Sequence, residues 1–402
     1  MKFSKLELWH KIFIGLVAGF FTGILLGEKA VYIKPIGDVF INAIRMLIVP
    51  LVFTSLVAGM VSLKDSKKMG RISLKTIGFY LFTTMIAITI GLLFGIIMQP
   101  GAGVEISSLG EAAIAGTPPE LVHIFTSLIP QNPIAALAEG NILQIIAFSI
   151  FLGIAINMAG SKGEKIGDMF IDFSNIMFKL TALIMEFAPY GVFALIAWVS
   201  GIYGLDVLLP LLKLIVAVYL ACITHAIFTY GSILAINKIG VVNFFKEIST
   251  AQMIAFTTTS SAGTLPATIT CARNLGASKT VSNFVLPLGA TINMDGTAIY
   301  QGVCVLFIAQ LIGFDLSMSH YITIILTSTL ASIGTAGVPG AGLIMLTLVL
   351  SSVGLPIEYV AIIAGVDRIL DMMRTTVNIT GDATCALVVS KSENEFNPSV
   401  VK

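Results

Sequence analysis

The stretch LDMMRTTVNITGD, residues 370–382, places charge inside an otherwise apolar run of the chain. The interval 367–382 holds five charged residues, which are Asp367, Arg368, Asp371, Arg374 and Asp382. A charged side chain near the centre of a bilayer costs about 2.5–3.5 kcal/mol even on lenient insertion scales. So many charges in one membrane segment indicate a functional site.

Composition places the whole chain in lipid. Of its 402 residues, 56% are hydrophobic and 11% are charged, whereas soluble domains carry about 25% charge. A span takes about 20 apolar residues, and the apolar runs of roughly that length or longer are 11–28, 38–63, 75–99, 142–160, 166–200, 206–236, 279–312 and 356–391. The pattern predicts an all-α polytopic membrane protein. A net charge of +1 gives no basic footprint for nucleic acid.

Lysine and arginine mark the cytoplasmic loops of membrane proteins. They cluster at the N-terminus and at 64–75, 162–165 and 238–246, and none occurs at 76–161. The loop with Lys29 and Lys34 is the one exception to this alternation. The distribution predicts a multi-pass protein of the cell membrane with both termini in the cytoplasm.

Two segments interrupt the alternation. Residues 247–272 carry the tip SSAGTLP at 260–266, and residues 318–351 carry SIGTAGVPGAG at 332–342. We predict a re-entrant hairpin for each, because non-helical backbone at membrane depth needs protein or a water-filled cavity around it. The alternative is a pair of ordinary spans kinked by glycine and proline. Each hairpin precedes a polar motif, GATINMDGT at 289–297 or the opening stretch, and such inverted repeats are typical of secondary transporters with a midplane site.

The polar residues of the opening stretch fall on one face of a helix. At about 100° per residue, those within about 60° of Asp371 are Asp367, Arg368, Arg374, Thr375, Asn378 and Asp382. Interhelical ion pairs that only hold the bundle together are one interpretation of this stripe. An anion and a guanidinium within one turn, Asp371 and Arg374, favour a ligand that carries an ammonium group and an extra carboxylate.

Oxygen donors for a cation lie beside glycine-containing stretches. Asn293, Asp295 and Asp382 occur next to MDG and TGD, where an unwound helix end would present carbonyl oxygens. Hard cations such as Na⁺ prefer carboxylate and carbonyl oxygens. Spacing alone leaves Na⁺ and H⁺ coupling open.

Four motifs in order carry a family resemblance over essentially the whole chain. NMDGT, SSAGTLP, SIGTAGVPGAG and the pattern D-x-x-x-D-x-x-R-T-x-x-N-x-x-G-D resemble the dicarboxylate/amino acid:cation symporter family. The resemblance implies eight spans plus two hairpins, a homotrimer, and a transport domain that moves like an elevator along a scaffold.

The resemblance also implies domain boundaries. The scaffold would comprise residues 1–74, with spans one and two, and 100–205, with a loop and spans four and five. The transport domain would comprise span three at 75–99 and all of 206–402. That last segment would hold span six, the hairpin 247–272, span seven at 279–312, the hairpin 318–351, span eight at 356–391 and a cytoplasmic tail.

Carried over position by position, the resemblance implies a substrate site and three sodium sites. Asp371 would bind the substrate ammonium and Arg374 its side-chain carboxylate. The further substrate contacts would be Ser261, Thr297, Val338, Gly342, Thr375 and Asn378. The first sodium would use Gly289, Asn293, Asn378 and Asp382, the second Thr291, Ser332, Ile333 and Thr335, and the third Asn293, Asp295, Tyr80, Thr83 and Thr84.

The chain departs from the family pattern at an arginine. Many members carry it at a position that is Thr259 or Met372 here, and Arg368 stands one turn earlier than Met372. Two hypotheses for Arg368 are that it substitutes for that arginine or that it pairs structurally with Asp367. The third serine of the usual first tip is Ala262.

These residues predict an Na⁺-coupled symporter of aspartate or glutamate that is not an enzyme and needs no cofactor besides the coupling ion. The alternative is a proton-coupled glutamate/aspartate symporter. A neutral amino acid carrier would leave Arg374 without a purpose, and a dicarboxylate carrier would leave Asp371 without one. An intramembrane protease is disfavoured, because NITGD lacks the first glycine of a GxGD motif.

Overall fold

The computed structural model describes residues 8–61, 67–103, 129–140, 142–203, 208–334, 337 and 340–397. Every regular element in these ranges is helical, and no strand occurs among them. The all-α class predicted from the apolar runs is therefore confirmed.

The helices of the first half are α1 Leu8–Leu26, α2 Lys34–Val61, α3 Lys67–Met98, α4 Pro133–Glu139, α5 Ile142–Met158, α6 Ser161–Met185 and α7 Ala188–Tyr203. A 3₁₀ turn, Gly27–Tyr32, connects α1 to α2. The helices of the second half are α8 Leu208–Thr224, α9 Gly231–Ile236, α10 Val241–Thr258, α11 Ser261–Asn274, α12 Lys279–Ile292, α13 Asp295–Leu311, α14 Met318–Gly334, α15 Ala341–Ser352, α16 Val360–Ala364 and α17 Asp367–Ser392. A π-helical turn, His225–Tyr230, joins α8 to α9, and a 3₁₀ turn, Ile357–Tyr359, precedes α16.

Several helical segments in the described ranges are long and apolar enough to cross a membrane. Four pass by length and composition: Ile14–Tyr32, Gly70–Met98, Leu209–Ile236 and Lys279–Leu311. The pair α6 and α7 passes as one bent segment. The described helices are those of a multi-pass membrane protein, while the number of eight spans stays a prediction.

The long run at 166–200 is two helices rather than one. Its halves, α6 and α7, meet at an angle of 51°. Pro189 is the second residue of α7, and proline is tolerated in the first turn of a helix because the backbone N–H groups there have no intrahelical partner. The apolar run at 166–200 can therefore continue without a break in hydrophobicity although one helix ends and another begins within it.

Glycines allow the closest helix crossings. A Cβ at Gly15 or Gly19 of α1 would overlap the backbone of α7 at Pro189 and Phe193. A Cβ at Gly91 of α3 would likewise overlap the backbone of α13 at Ile299. Small residues let membrane helices approach in this way, and they bind α1 to α7 and α3 to α13.

Each predicted hairpin contains two helices that pack against each other. In the first, α10 and α11 run side by side, and Asn274 Nδ2 donates to Glu247 Oε1 at 2.7 Å across their far ends. α10 and α11 therefore form a helical hairpin, while its re-entrant placement in the membrane stays a prediction. The second pair, α14 and α15, also packs together.

The two tips touch each other. The Gly337 carbonyl of the second hairpin accepts from Ser260 Oγ at 3.0 Å and from the Ala262 amide at 3.2 Å. A Cβ at Gly337 would overlap the Ala290 carbonyl of α12. The tips and the broken helix α12–α13 therefore converge beside α17, which positions the charged residues of the site.

Candidate substrate and cation site

Arg374 is fully buried at the centre of the site. Its NH1 lies 2.8 Å from Asp367 Oδ1, and its NH2 lies 2.7 Å from Asp371 Oδ1. The guanidinium carbon sits 4.1 Å from the centroid of the Tyr300 ring, a cation–π distance. Both aspartates come from α17, one turn apart along the same face, so the helix itself supplies both acidic partners of its arginine.

Asp371 connects α17 to the tip of the second hairpin. Its Oδ2 accepts a hydrogen bond from the Gly340 amide at 3.1 Å, while Oδ1 faces Arg374 and Thr375. Gly340 has a φ of 81°, which glycine adopts without strain. A Cβ at Gly342 would lie 2.8 Å from the Arg374 guanidinium carbon. The second tip therefore covers the arginine and contacts the aspartate directly.

Asn378 caps the second half of the broken helix. Its Oδ1 accepts from the Gly296 amide at 2.8 Å, at the N-terminus of α13. Its backbone carbonyl accepts from Asn293 Nδ2 at 3.1 Å. Because α13 starts at Asp295, these bonds fix the interruption at Asn293 and Met294 against α17.

Asp382, a residue of α17, packs against the C-terminal end of α12 and against α3. Its Oδ1 accepts from Asn293 Nδ2 at 2.9 Å. A Cβ at Gly289 would overlap Asp382 Oδ1, and it would lie 2.5 Å from the Tyr80 hydroxyl. The lack of a side chain at Gly289 is thus what allows the carboxylate and the tyrosine to approach this helix.

Asp295 is enclosed by hydroxyls and an imidazole. Thr84 Oγ1 donates to its Oδ1 at 2.6 Å, and the Tyr230 hydroxyl donates to its Oδ2 at 2.7 Å. His225 Nε2 lies 3.2 Å from Oδ2. All four side chains are less than 1% exposed.

The described residues bury four carboxylates but only one guanidinium and no lysine. Asp367 and Asp371 share Arg374. Asp295 and Asp382 have no arginine or lysine partner in the described ranges. Buried charge without a partner is strongly unfavourable, so this imbalance suits a site that takes up cations. No group of three or more histidine, cysteine, aspartate or glutamate side chains suited to a metal occurs in those ranges.

The structure brings several of the predicted residues into one connected cluster. Its members are Tyr80, Thr84, Gly289, Asn293, Asp295, Gly342, Asp371, Arg374, Thr375, Asn378 and Asp382. Thr83 is buried one residue from Thr84, and its hydroxyl donates to the Tyr80 carbonyl at 3.2 Å. Ser261 and Thr297 are buried at the N-termini of α11 and α13.

Other predicted residues are not joined to this cluster by a described contact. Thr291 Oγ1 donates to the Leu288 carbonyl, and Thr291 lines a cavity of about 240 Å³ between α12, α2 and α6. Ser332 Oγ donates to the Thr329 carbonyl in its own helix. Thr335 and Val338 lie outside the described residues, as does the side chain of Ile333. The second sodium site stays a prediction.

Sequence reasoning did not assign Asp367, Tyr300, Tyr230 or His225 to the site. Asp367 lies on the predicted polar stripe of α17, and this position is the sequence feature that could have assigned it to the site. The two tyrosines and the histidine come from α13 and from the π-helical turn, and their roles depend on helix packing. Arg368 donates from NH2 to the Thr258 carbonyl at the first hairpin tip, at 3.3 Å, whereas the ion pair of Asp367 is made with Arg374.

The fold and the site define an α-helical membrane transport protein. The sequence profile of the Sodium:dicarboxylate symporter family matches residues 8–392. The chain belongs to this family, and it is a transporter rather than an enzyme.

Three relatives illustrate the similarity. A proton/sodium-glutamate symport protein from Geobacillus stearothermophilus is 38% identical over 404 residues, which cover 98% of this chain and 96% of the relative. A proton/glutamate-aspartate symporter from Escherichia coli (strain K12) is 36% identical over 420 residues, covering 99% and 95%. A C4-dicarboxylate transport protein from Bacillus subtilis (strain 168) is 35% identical over 404 residues, covering 99% and 96%.

Proposed function

We propose that this chain is a secondary active symporter that imports the acidic amino acids aspartate or glutamate together with Na⁺. The observation that carries the proposal is the charge pattern of the buried site. Arg374 sits between two aspartates, and two further carboxylates, Asp295 and Asp382, have no arginine or lysine partner in the described ranges. The names of the glutamate and glutamate-aspartate relatives support the substrate class.

Substrate binding is proposed as an exchange of ionic partners. The side-chain carboxylate of the amino acid takes the place that Asp371 occupies on Arg374, where a bidentate pair is favourable. The Asp371 carboxylate then forms an ion pair with the substrate ammonium. Arg374 and Asp371 each keep a partner of opposite sign throughout, which avoids the cost of leaving either ion isolated in a low-dielectric site.

A C4-dicarboxylate carrier is the competing substrate class, because one relative bears that name. A dicarboxylate has no ammonium group, so its entry would displace Asp371 from Arg374 and leave that carboxylate without a partner. The presence of Asp371 next to Arg374 therefore favours an amino acid.

Na⁺ is favoured over H⁺ because the unpaired carboxylates lie among other oxygen atoms. Asp382 lies beside the Tyr80 hydroxyl, and Asp295 lies beside the hydroxyls of Thr84 and Tyr230. A hard cation needs several converging oxygens, whereas a proton needs only one group that titrates. Proton coupling is the second candidate, since the relatives' names include both ions.

Helix packing supports the proposed division into scaffold and transport domain. α3 packs against α8, α13 and α17, which groups span three with residues 206–402. α1 packs on α7, and α2 packs on α5, α6 and α7, which groups residues 1–74 with 100–205. We propose eight spans, cytoplasmic termini, a homotrimer in the cell membrane, and elevator movement of the first group along the second.

Uptake of labelled aspartate into proteoliposomes tests the function. An inward Na⁺ gradient should drive accumulation, and unlabelled glutamate should compete better than succinate, which lacks the ammonium group. An inward proton gradient with choline in place of Na⁺ should not drive it. Robust uptake under the proton gradient alone would favour the second candidate, and stronger competition by succinate would favour the dicarboxylate class.

A further inference from the structure

His225 and Tyr230 reach the same carboxylate oxygen from one turn of helix. Both contact Asp295 Oδ2, at 3.2 and 2.7 Å, and their rings meet edge to face with centroids 4.7 Å apart. In an α-helix, residues five apart point about 140° away from each other. The π-helical turn, whose hydrogen bonds run from i to i+5, brings the two side chains to one side.

The hydrogen-bond pattern selects one form of the imidazole. His225 Nδ1 has no hydrogen-bond partner in the described part of the chain, and the residue is fully buried. If Nδ1 carried the proton, a buried N–H would be unsatisfied and the Nε2 lone pair would face a carboxylate. A proton on Nε2 avoids both costs and makes His225 a donor to Asp295.

Three donors thus hold Asp295 in one orientation. A carboxylate offers about four lone-pair positions. Tyr230 and His225 occupy those of Oδ2, and Thr84 occupies one on Oδ1. The remaining acceptor position is on Oδ1, on the oxygen that faces α3.

We propose that His225 and Tyr230 are positioning residues that fix the rotamer of Asp295 and direct its Oδ1 towards a coupling Na⁺. The proposal rests on the proposed function and deepens it. The π-helical turn of the sixth span becomes part of the cation site, although neither side chain touches the ion. Outer-shell groups of this kind typically change metal affinity about 10- to 100-fold when they are removed.

The test measures Na⁺ binding to the purified full-length protein without substrate. Thermal unfolding is followed while NaCl replaces choline chloride at constant ionic strength, and the Na⁺ concentration of half-maximal stabilisation is compared between variants. His225→Leu and Tyr230→Phe should each raise it about 10- to 100-fold. His225→Gln, whose amide N–H reaches about as far as Nε2, should stay close to the unmodified protein.

A control on the same span separates positioning from general packing. Tyr219 of α8 donates from its hydroxyl to the Ile369 carbonyl at 2.9 Å, away from Asp295. Tyr219→Phe should leave the Na⁺ dependence unchanged although it also removes a hydroxyl from the α8–α17 contact. If His225→Leu does not fold, the contrast between Tyr230→Phe and Tyr219→Phe carries the test.

Two results would overturn the inference. The first is that Tyr230→Phe, His225→Gln and, where it folds, His225→Leu all show the Na⁺ dependence of the unmodified protein. The two side chains would then not position Asp295 for Na⁺. A loss in His225→Gln as large as in His225→Leu would show that shape rather than the N–H matters. If the unmodified protein is not stabilised by Na⁺ over choline, the proposed function fails together with the inference.

Discussion

At the scale of single residues, the site is organised by the pairing of buried charge. Arg374 is 0% exposed and has two carboxylate partners on its own helix. Removing one member of a buried pair costs more than the pair contributes, because the remaining ion is left in a low dielectric. Substitutions at this arginine should therefore lower stability as well as change the proposed substrate specificity.

Arg374→Thr should abolish uptake of aspartate and glutamate and admit small neutral amino acids. The loss of one desolvated charge pair corresponds to about 2–5 kcal/mol of binding free energy. Competition by aspartate and by serine in uptake assays measures the change. Unaltered aspartate affinity would contradict the assignment.

The stability of Arg374→Thr can be compared with that of a double variant that also lacks the Asp367 charge. Asp367 loses its ion-pair partner when Arg374 is replaced, so Arg374→Thr should lower the melting temperature of the protein. Adding Asp367→Asn should recover part of that loss without recovering aspartate binding. No recovery in the double variant would show that Asp367 does not depend on the guanidinium.

Asp371→Asn should stop transport of every amino acid while the protein still folds. The amide cannot balance the substrate ammonium, although it can still accept from the Gly340 amide as the carboxylate does. Uptake assays and size-exclusion profiles of the purified variant measure the two effects. A loss of only a few-fold would place the ammonium elsewhere.

The residues of α17 were predictable because the helical period alone aligns Asp367, Asp371 and Arg374. Their partners from other helices were not accessible in that way. Tyr300 reaches Arg374 only because α13 crosses α17 where Gly296 has no side chain. Contacts of this kind depend on tertiary packing, which a local pattern does not encode.

At the scale of helices and hairpins, the site forms where helices are interrupted. The breaks at the two tips and between α12 and α13 bring helix ends to α17. Glycine- and proline-rich stretches predicted these breaks. The π-helical turn at His225–Tyr230 was not predicted, because its sequence HAIFTY has neither glycine nor proline.

The second hairpin should act as the external gate. Ala341, 2% exposed, follows the residue whose amide binds Asp371. An Ala341→Cys variant should react with an external thiol reagent faster without ligands than with Na⁺ and aspartate bound. The native cysteines serve as the control because all four are buried. Equal rates in both conditions would indicate a static tip.

Glu393 links the end of α17 to the start of α3, on the side that we propose to be cytoplasmic. Its Oε1 lies 2.6 Å from Lys75 Nζ and its Oε2 lies 3.1 Å from Arg71. Hydrogen bonds from Lys75 and then Arg71 lower the pKa of Glu393 below its ordinary value of 4.5. A lowered folded-state pKa contributes stability above the unfolded-state pKa, and that stability is lost as pH falls through the folded value.

Glu393→Gln should therefore lower the melting temperature slightly at neutral pH and have no effect once the carboxylate is protonated. Both basic partners are partly exposed, so the contribution is about 1 kcal/mol or less. Melting curves at about pH 7 and about pH 3 compare the two conditions. Glu186→Gln is the control, because Glu186 is exposed and forms no ion pair in the described ranges. A destabilisation that persists in acid would mean that packing, not charge, is responsible.

At the scale of the whole molecule, the buried charge should determine how transport responds to voltage. The empty site of the described residues is net negative, because Asp367 and Asp371 share one guanidinium and Asp295 and Asp382 have none. In the proposed elevator movement, cations that enter with the substrate would reduce this charge before the site crosses the membrane. A site without net charge crosses lipid at lower cost, which couples ion binding to movement.

Uptake should accordingly be electrogenic and driven by Na⁺. One Na⁺ gains about 1.4 kcal/mol from a tenfold gradient and about 2.3 kcal/mol from 100 mV. Three would supply about 11 kcal/mol, against about 2.3 kcal/mol for importing one negative charge. The difference of about 9 kcal/mol sustains roughly a million-fold accumulation.

A potassium diffusion potential set with valinomycin in proteoliposomes measures this coupling. Aspartate uptake at a fixed Na⁺ gradient should increase as the interior becomes more negative, because more than one cation enters with each monoanionic substrate. Asp295→Asn removes one proposed cation ligand and should weaken the voltage dependence in any variant that still transports. Uptake that does not respond to the potential would mean that only one cation accompanies the substrate, and the unpaired carboxylates would then need a different partner.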